Sequence, residues 1–158
     1  MSEGHDTASA MNRQAAGVLQ ILLVEDNPGD VRLLQEALKE ARVHARLHVT
    51  KDGQDALNFL RQEGPYAGIA RPDILLLDLN MPKKGGLELL TEIKNDQDLR
   101  SIPVAILTSS QARADIDQTL GLYANCYLIK PVDSGRLLLL LRMVRPDAGD
   151  MENDEPAS

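Results

Sequence analysis

The sequence predicts an α/β domain: a doubly wound parallel sheet of five strands with five helices. Three observations carry this reading. The apolar runs Ile21–Val24, Ile74–Leu77 and Val104–Leu107, with the shorter stretch Cys126–Ile129, have the unbroken hydrophobicity of strands buried on both faces. Segments with helical spacing separate them. The two patterns alternate through the middle of the chain, which implies right-handed crossovers and helices on both faces of the sheet.

In order, Val18–Val24 is the first strand. Val31, Leu34, Leu38 and Ala41 recur at helical spacing and place a helix from Asp30 to Glu40, with Pro28 near its start. Ala45–Thr50 alternates apolar and polar residues, as a less buried strand does. Asp52-Gly53 is a turn, and Ala56, Phe59 and Leu60 mark a helix to about Gln62. A long loop from Glu63 to Pro72 leads to the strand Ile74–Leu77. Leu87, Leu90 and Ile93 mark a helix from Gly86 to about Asn95, and Pro103 precedes the strand Val104–Leu107. Ala112 to Leu122 is helical, with Ile116 and Leu120 on one face. Tyr127–Ile129 is a short strand and Ser134 to Val144 the last helix. The domain is expected at 18–145. Residues 1–17 form a polar tail, and 146–158 form an acidic one in which Asp147, Asp150, Glu152, Asp154 and Glu155 meet no base.

Bulk properties narrow the function. A net charge of −7 disfavours nonspecific binding to nucleic acid or to an anionic membrane. No apolar run approaches the ~20 residues of a membrane span, and the polar start of the chain lacks the regions of a signal peptide. The single cysteine, Cys126, allows no internal disulfide. The expected compartment is the cytoplasm. His5, His44 and His48 have no companions that would make a zinc cluster.

Each buried run delivers a polar group at its C-terminal end: Glu25-Asp26, Asp78, Thr108 and Lys130. In an open parallel sheet that edge is where ligands bind. Taken singly, these residues read as caps, turns or surface positions. Taken together they describe chemistry. Carboxylates on strands ~4.8 Å apart repel unless a cation intervenes. Oxygen ligands with room for water and phosphate suit Mg2+. Asp26 and Asp78 are expected to ligate it directly, Glu25 through water, and the Asn80 carbonyl as a further oxygen. Lys130 and Thr108 would pair with a phosphoryl group, with Asp78 as nucleophile and an acyl phosphate as product.

The segments Leu23-Val24-Glu25-Asp26-Asn27, Asp78-Leu79-Asn80-Met81-Pro82-Lys83-Lys84-Gly85-Gly86, Leu107-Thr108-Ser109 and Tyr127-Leu128-Ile129-Lys130-Pro131 resemble a response-regulator receiver domain of two-component signalling, over about 18–145. The resemblance implies a flavodoxin-like sheet in the order 2-1-3-4-5. It implies Asp78 as phosphoacceptor, Glu25 and Asp26 as the acidic pocket and Asn80 as a carbonyl ligand. Thr108 and Tyr127 would be the switch pair, Lys130 the phosphate-binding lysine, and Lys130-Pro131 a cis peptide. The implied partner is a sensor histidine kinase, and the implied role is a switch that assists its own phosphorylation and dephosphorylation. Asn27-Pro28-Gly29-Asp30, the long loop, Asn80-Met81-Pro82-Lys83-Lys84 and Asn125-Cys126-Tyr127 resemble stand-alone regulators of phytochrome-type kinases. Ser109 and Gly85 depart from the commonest form of the family, where a smaller residue and a polar residue respectively are more usual.

Rival readings fare less well on the same residues. A haloacid-dehalogenase type phosphatase needs a second aspartate two residues after the nucleophile, where Asn80 stands. A flavin carrier needs a phosphate loop after the first strand, where Glu25-Asp26 would repel it. A degenerate receiver, acting as a binding module without phosphorylation, remains the alternative. No effector domain is expected after Arg145, so output would be a protein contact, a dimer or phosphate relay. On the last helix Leu137, Leu140, Leu141 and Val144 share a core-facing stripe. Leu138 and Leu139 fall off it and predict a homodimer surface.

Overall fold

The computed structural model describes residues 17–79, 85–109 and 126–149. Its sheet has strands β1 (Leu19–Val24), β2 (Ala45–Thr50), β3 (Ile74–Asp78), β4 (Val104–Thr108) and β5 (Cys126–Ile129). All neighbours run parallel, in the order β2-β1-β3-β4-β5. The described helices are α1 (Pro28–Glu40), α2 (Gly53–Leu60), α3 (Gly86–Lys94) and α4 (Ser134–Val144). The helix expected over Ala112 to Leu122 lies outside the described residues. The long loop contains a 3-10 turn, Gly64–Tyr66.

Period-two alternation divides the core into two layers. Ile21, Leu23, Ile74, Leu76, Ala105 and Leu107 face one side, against Leu34 and Leu38 of α1 and Leu137, Leu140 and Leu141 of α4. Leu22, Val24, Leu75, Leu77, Val104 and Ile106 face the other, against Leu57 and Phe59 of α2 and Leu89, Leu90 and Ile93 of α3. Both faces of β1, β3 and β4 are covered, which is why these strands read as continuous apolar runs. Strand β2 lies at an edge and keeps the mixed pattern seen in its sequence.

Side-chain caps fix where the helices start. Asn27 accepts from the amides of Gly29 and Asp30, Asp52 from that of Asp55, and Asp133 from that of Arg136. Helix α3 has no such side chain; Gly85 precedes it and Gly86 opens it. A β-carbon on Gly86 would lie 2.9 Å from the Asp78 carbonyl oxygen and 3.0 Å from Leu79 Cα. Glycine therefore lets α3 begin against the end of β3.

At the N-terminal rim of the sheet, Gln20 donates its amide to Asp73 Oδ2 at 2.8 Å, and Asp73 returns its own amide to the Gln20 carbonyl at 2.7 Å. Arg145, just past α4, pairs with the same Asp73 oxygen at 3.2 Å. The packed chain runs on past the end expected at Pro146. Ala148 is buried in the core layer under α4, and its carbonyl accepts from Arg142 Nε at 2.8 Å. Gly149 takes φ +86°, and a β-carbon there would lie 2.7 Å from Leu138 Cδ1. Leu138, expected to face solvent, is thus half-buried beneath this turn, while Leu139 and Met143 are 66% and 75% exposed.

Candidate functional site

In this strand order the chain leaves β1 toward β2 and returns on the other side to β3, so a crevice opens at the C-terminal ends of β1 and β3. Sheet hydrogen bonding carries the polar residues into it. The Glu25 amide donates to the Thr50 carbonyl at 2.9 Å, the Leu79 amide to Leu107 at 3.3 Å, and the Lys130 amide to Thr108 at 2.8 Å. Each site residue is therefore held one step beyond, or at the last step of, a ladder that packs the core.

Glu25, Asp26 and Asp78 present carboxylate oxygens that all lie within 4.8 Å of one another. Glu25 and Asp78 are buried, and Asp26 is exposed at the mouth. An open cleft of about 520 Å³ is lined by these three together with Asn27, Pro28, Asp30, Ser109 and Lys130. Three converging hard-oxygen ligands beside open space fit a divalent cation that keeps several waters. Asn80, expected to add a carbonyl, lies outside the described residues.

Lys130 reaches the cluster from the end of β5. Its Nζ donates to Glu25 Oε1 at 2.7 Å and to Asp30 Oδ2 at 2.9 Å, and lies 3.4 Å from Asp78 Oδ2. The lysine lies beside Asp78, as its expected role with a phosphoryl group there requires, but its two shortest bonds go elsewhere, and Asp30 is a site residue that the sequence did not single out. An acid in a first helical turn reads as a favourable helix-dipole residue, and nothing local announces a lysine 100 positions away.

Burial pushes the Glu25 carboxyl up to about 7; the Lys130 hydrogen bond opposes this, and Asp78 reinforces it. Burial works against the charge on Lys130, but its bonds to Glu25 and Asp30 and the nearby Asp78 outweigh it and hold the ammonium firmly protonated. Near neutrality the lysine is thus a fixed cation, and Glu25 can hold or release a proton.

Thr108 is fully buried at the end of β4, and its hydroxyl donates to the Ser109 carbonyl at 3.3 Å, a long contact. Tyr127 on the edge strand β5 points outward and is 41% exposed. The Lys130–Pro131 peptide is cis. The structure thus gathers Glu25, Asp26, Asp78 and Lys130 at one crevice, with Thr108 on the adjoining strand end. Tyr127, Leu138 and Leu139 lie on other parts of the surface.

The response regulator receiver domain model matches residues 21–142. The response regulator Rcp1 of Synechocystis sp. is 46% identical over 125 residues, covering 79% of this chain and 83% of that protein. The phosphorylated cyanobacterial phytochrome response regulator RcpA has a similar structure. Its TM-score is 0.69 at 43% identity, covering 82% of this chain and 93% of that one. The Mn(2+)-bound form of Rcp1 gives a TM-score of 0.66 at 44% identity, covering 82% and 91%.

Proposed function

Because the chain belongs to the response regulator receiver family, we propose that Asp78 accepts a phosphoryl group from a sensor histidine kinase. Mg2+ would be held at Asp26 and Asp78 and, through water, at Glu25, and the modification would switch protein–protein contacts in the cytoplasm. Among the described residues no helix is long and apolar enough to cross a membrane. The observation that carries this reading is the convergence of Glu25, Asp26 and Asp78 beside Lys130 in an open cleft. Phosphorylated RcpA and Mn(2+)-bound Rcp1 support it by similarity, and the name of RcpA favours a phytochrome-type kinase.

In the proposed step, a lone pair of the Asp78 carboxylate attacks phosphorus in line. The phosphorus–nitrogen bond of the donor phosphohistidine breaks, and its electron pair leaves on the imidazole. Lys130 meets the phosphoryl oxygens with a charge-assisted hydrogen bond. The Thr108 hydroxyl exchanges its long contact with Ser109 for one of those oxygens, and Tyr127 turns inward from its exposed position. When bound, the cation would neutralise charge on the acids and on the transferring group. The domain remains a phosphoacceptor switch and turns over no separate substrate. Any self-association through the last helix would rest on Leu139, next to Met143, since Leu138 lies under the Pro146–Gly149 turn.

Incubation with acetyl phosphate and Mg2+, read by intact mass, tests the proposal. A gain of one phosphate is expected, lost in Asp78→Asn. A chain that gains nothing would instead be a binding module that works without phosphorylation, and an equal gain in the variant would place the acceptor on a residue other than Asp78.

A further inference from the structure

We propose that Asp30 is a positioning residue: in the resting protein it holds the Lys130 ammonium to one side of the acceptor, and it surrenders that ammonium when a phosphoryl group arrives on Asp78. The inference rests on the reading of Asp78 as acceptor and adds a residue that controls access to it.

The argument begins with donor capacity. An ammonium has three N–H groups. Here three carboxylates surround it, at 2.7 Å (Glu25), 2.9 Å (Asp30) and 3.4 Å (Asp78). Only the first two are hydrogen bonds, so the ammonium is drawn toward Glu25 and α1 and away from the acceptor. A phosphoryl group brings strongly accepting oxygens and further negative charge. Two N–H groups are committed to Glu25 and Asp30, so only the third is left for a phosphoryl group, and a second bond to it requires the release of a present partner.

Exposure decides which partner goes. The Glu25 side chain is 1% exposed, and stripping it of its cation would leave a buried carboxylate unmatched. The Asp30 side chain is 34% exposed and can turn back to water. Asp30 is also held in place independently of Lys130, because its amide is bound by the Asn27 cap and it sits in the first turn of α1. Rotation of its side chain therefore costs no helix. The pair acts as a catch: closed, it holds two of the ammonium's N–H groups toward Glu25 and α1; open, it frees one of them for the phosphoryl group.

The test is a double-mutant cycle on the full chain, with acetyl phosphate at saturating Mg2+ and the phosphorylation rate read by intact mass. Removing the catch in Asp30→Asn should raise the rate about threefold, an effect of the size found for coupled neighbours, and Asp30→Glu should bring it back toward the starting value. In a Lys130→Gln background, Asp30→Asn should change nothing. An acceleration that persists without the lysine would mean that Asp30 merely repels the anionic donor, and would overturn the catch. So would equal rates in the wild type and Asp30→Asn. A second readout needs neither metal nor phosphate: the NMR signal of the Lys130 ammonium, identified by its loss in Lys130→Gln, should move in Asp30→Asn. An unmoved signal in a folded variant also overturns the inference. A wild type that takes up no phosphate on Asp78 would sink the parent reading along with it.

Discussion

The two rims of the sheet carry charge in opposite ways. At the N-terminal rim one carboxylate, Asp73, is met by one guanidinium, Arg145, and by the Gln20 amide. At the C-terminal rim Glu25, Asp30 and Asp78 share one ammonium, Lys130, and Asp26 joins Glu25 and Asp78 in the same acid cluster. The first arrangement is balanced and ties α4 to β3. The second carries excess negative charge and opens to solvent. Matched charge at a strand end is a fastening, whereas mismatched charge converging at a strand end fits a divalent cation. The same parallel sheet supports both, and the distribution of Lys and Arg between its rims decides which is which.

The largest expected effect comes from worsening the mismatch. Lys130→Met removes the cation that Glu25, Asp30 and Asp78 share. It should slow phosphorylation of Asp78 about 100-fold, by analogy with loss of a charge-stabilising donor. It should also cost about 2 kcal/mol in urea unfolding of the metal-free protein, less than for a fully enclosed pair because Lys130 and Asp30 are partly open to water.

The next effect is in pH. Glu25 carries a raised pKa of about 7 through burial and the neighbouring Asp78. Proton and divalent cation compete for the same cluster, so metal binding should tighten as pH rises. Between about pH 6 and about pH 8 the dissociation constant should fall by roughly tenfold, measured by calorimetry, and Glu25→Gln should flatten the profile. The metal-free fold should show the reverse trend. Between the ordinary glutamate value of 4.5 and about 7, the folded chain keeps a proton that the unfolded chain has released, so stability falls as pH rises through that window.

A smaller effect tests the balanced rim. Arg145→Ala leaves Asp73 with only its amide donor and should cost about 1 kcal/mol of stability, while metal affinity and phosphorylation stay unchanged. Loss of either would mean that the rims are coupled. Of similar size and opposite sign is Thr50→Val, where β2 ends beside Glu25. The Thr50 hydroxyl is buried with no hydrogen-bond partner among the described residues. Replacing it with a methyl should raise stability by about 1 kcal/mol in the same unfolding experiment.

The sequence made much of this legible, for reasons that differ by region. β1, β3 and β4 could be placed because burial on both faces forces uninterrupted apolar runs, and each run ended where a polar residue had to reach the cleft. The acid cluster followed, since Glu25, Asp26 and Asp78 had to sit at neighbouring strand ends. Asp30 was hidden because its partner arrives from the far end of the chain, and one acid in a helix start has a sufficient local explanation. Leu138 was misplaced for a related reason. Helical spacing assigns a face but does not show that a turn beyond Pro146 folds over it and buries Ala148. Proline and a run of acids read as the end of the fold; the packed chain continues to Gly149.

The contact at Gly86 has a mechanical consequence. With no room for even one extra carbon between the first residue of α3 and the peptide of Asp78, strand end and helix start move as one piece. A shift in the Asp78 main chain would drag α3 with it, and a pull on that helix would be felt at the Asp78 carboxylate. Compliance is then left to the opposite bank of the cleft, where Thr108 and Lys130 are carried by the last two strands.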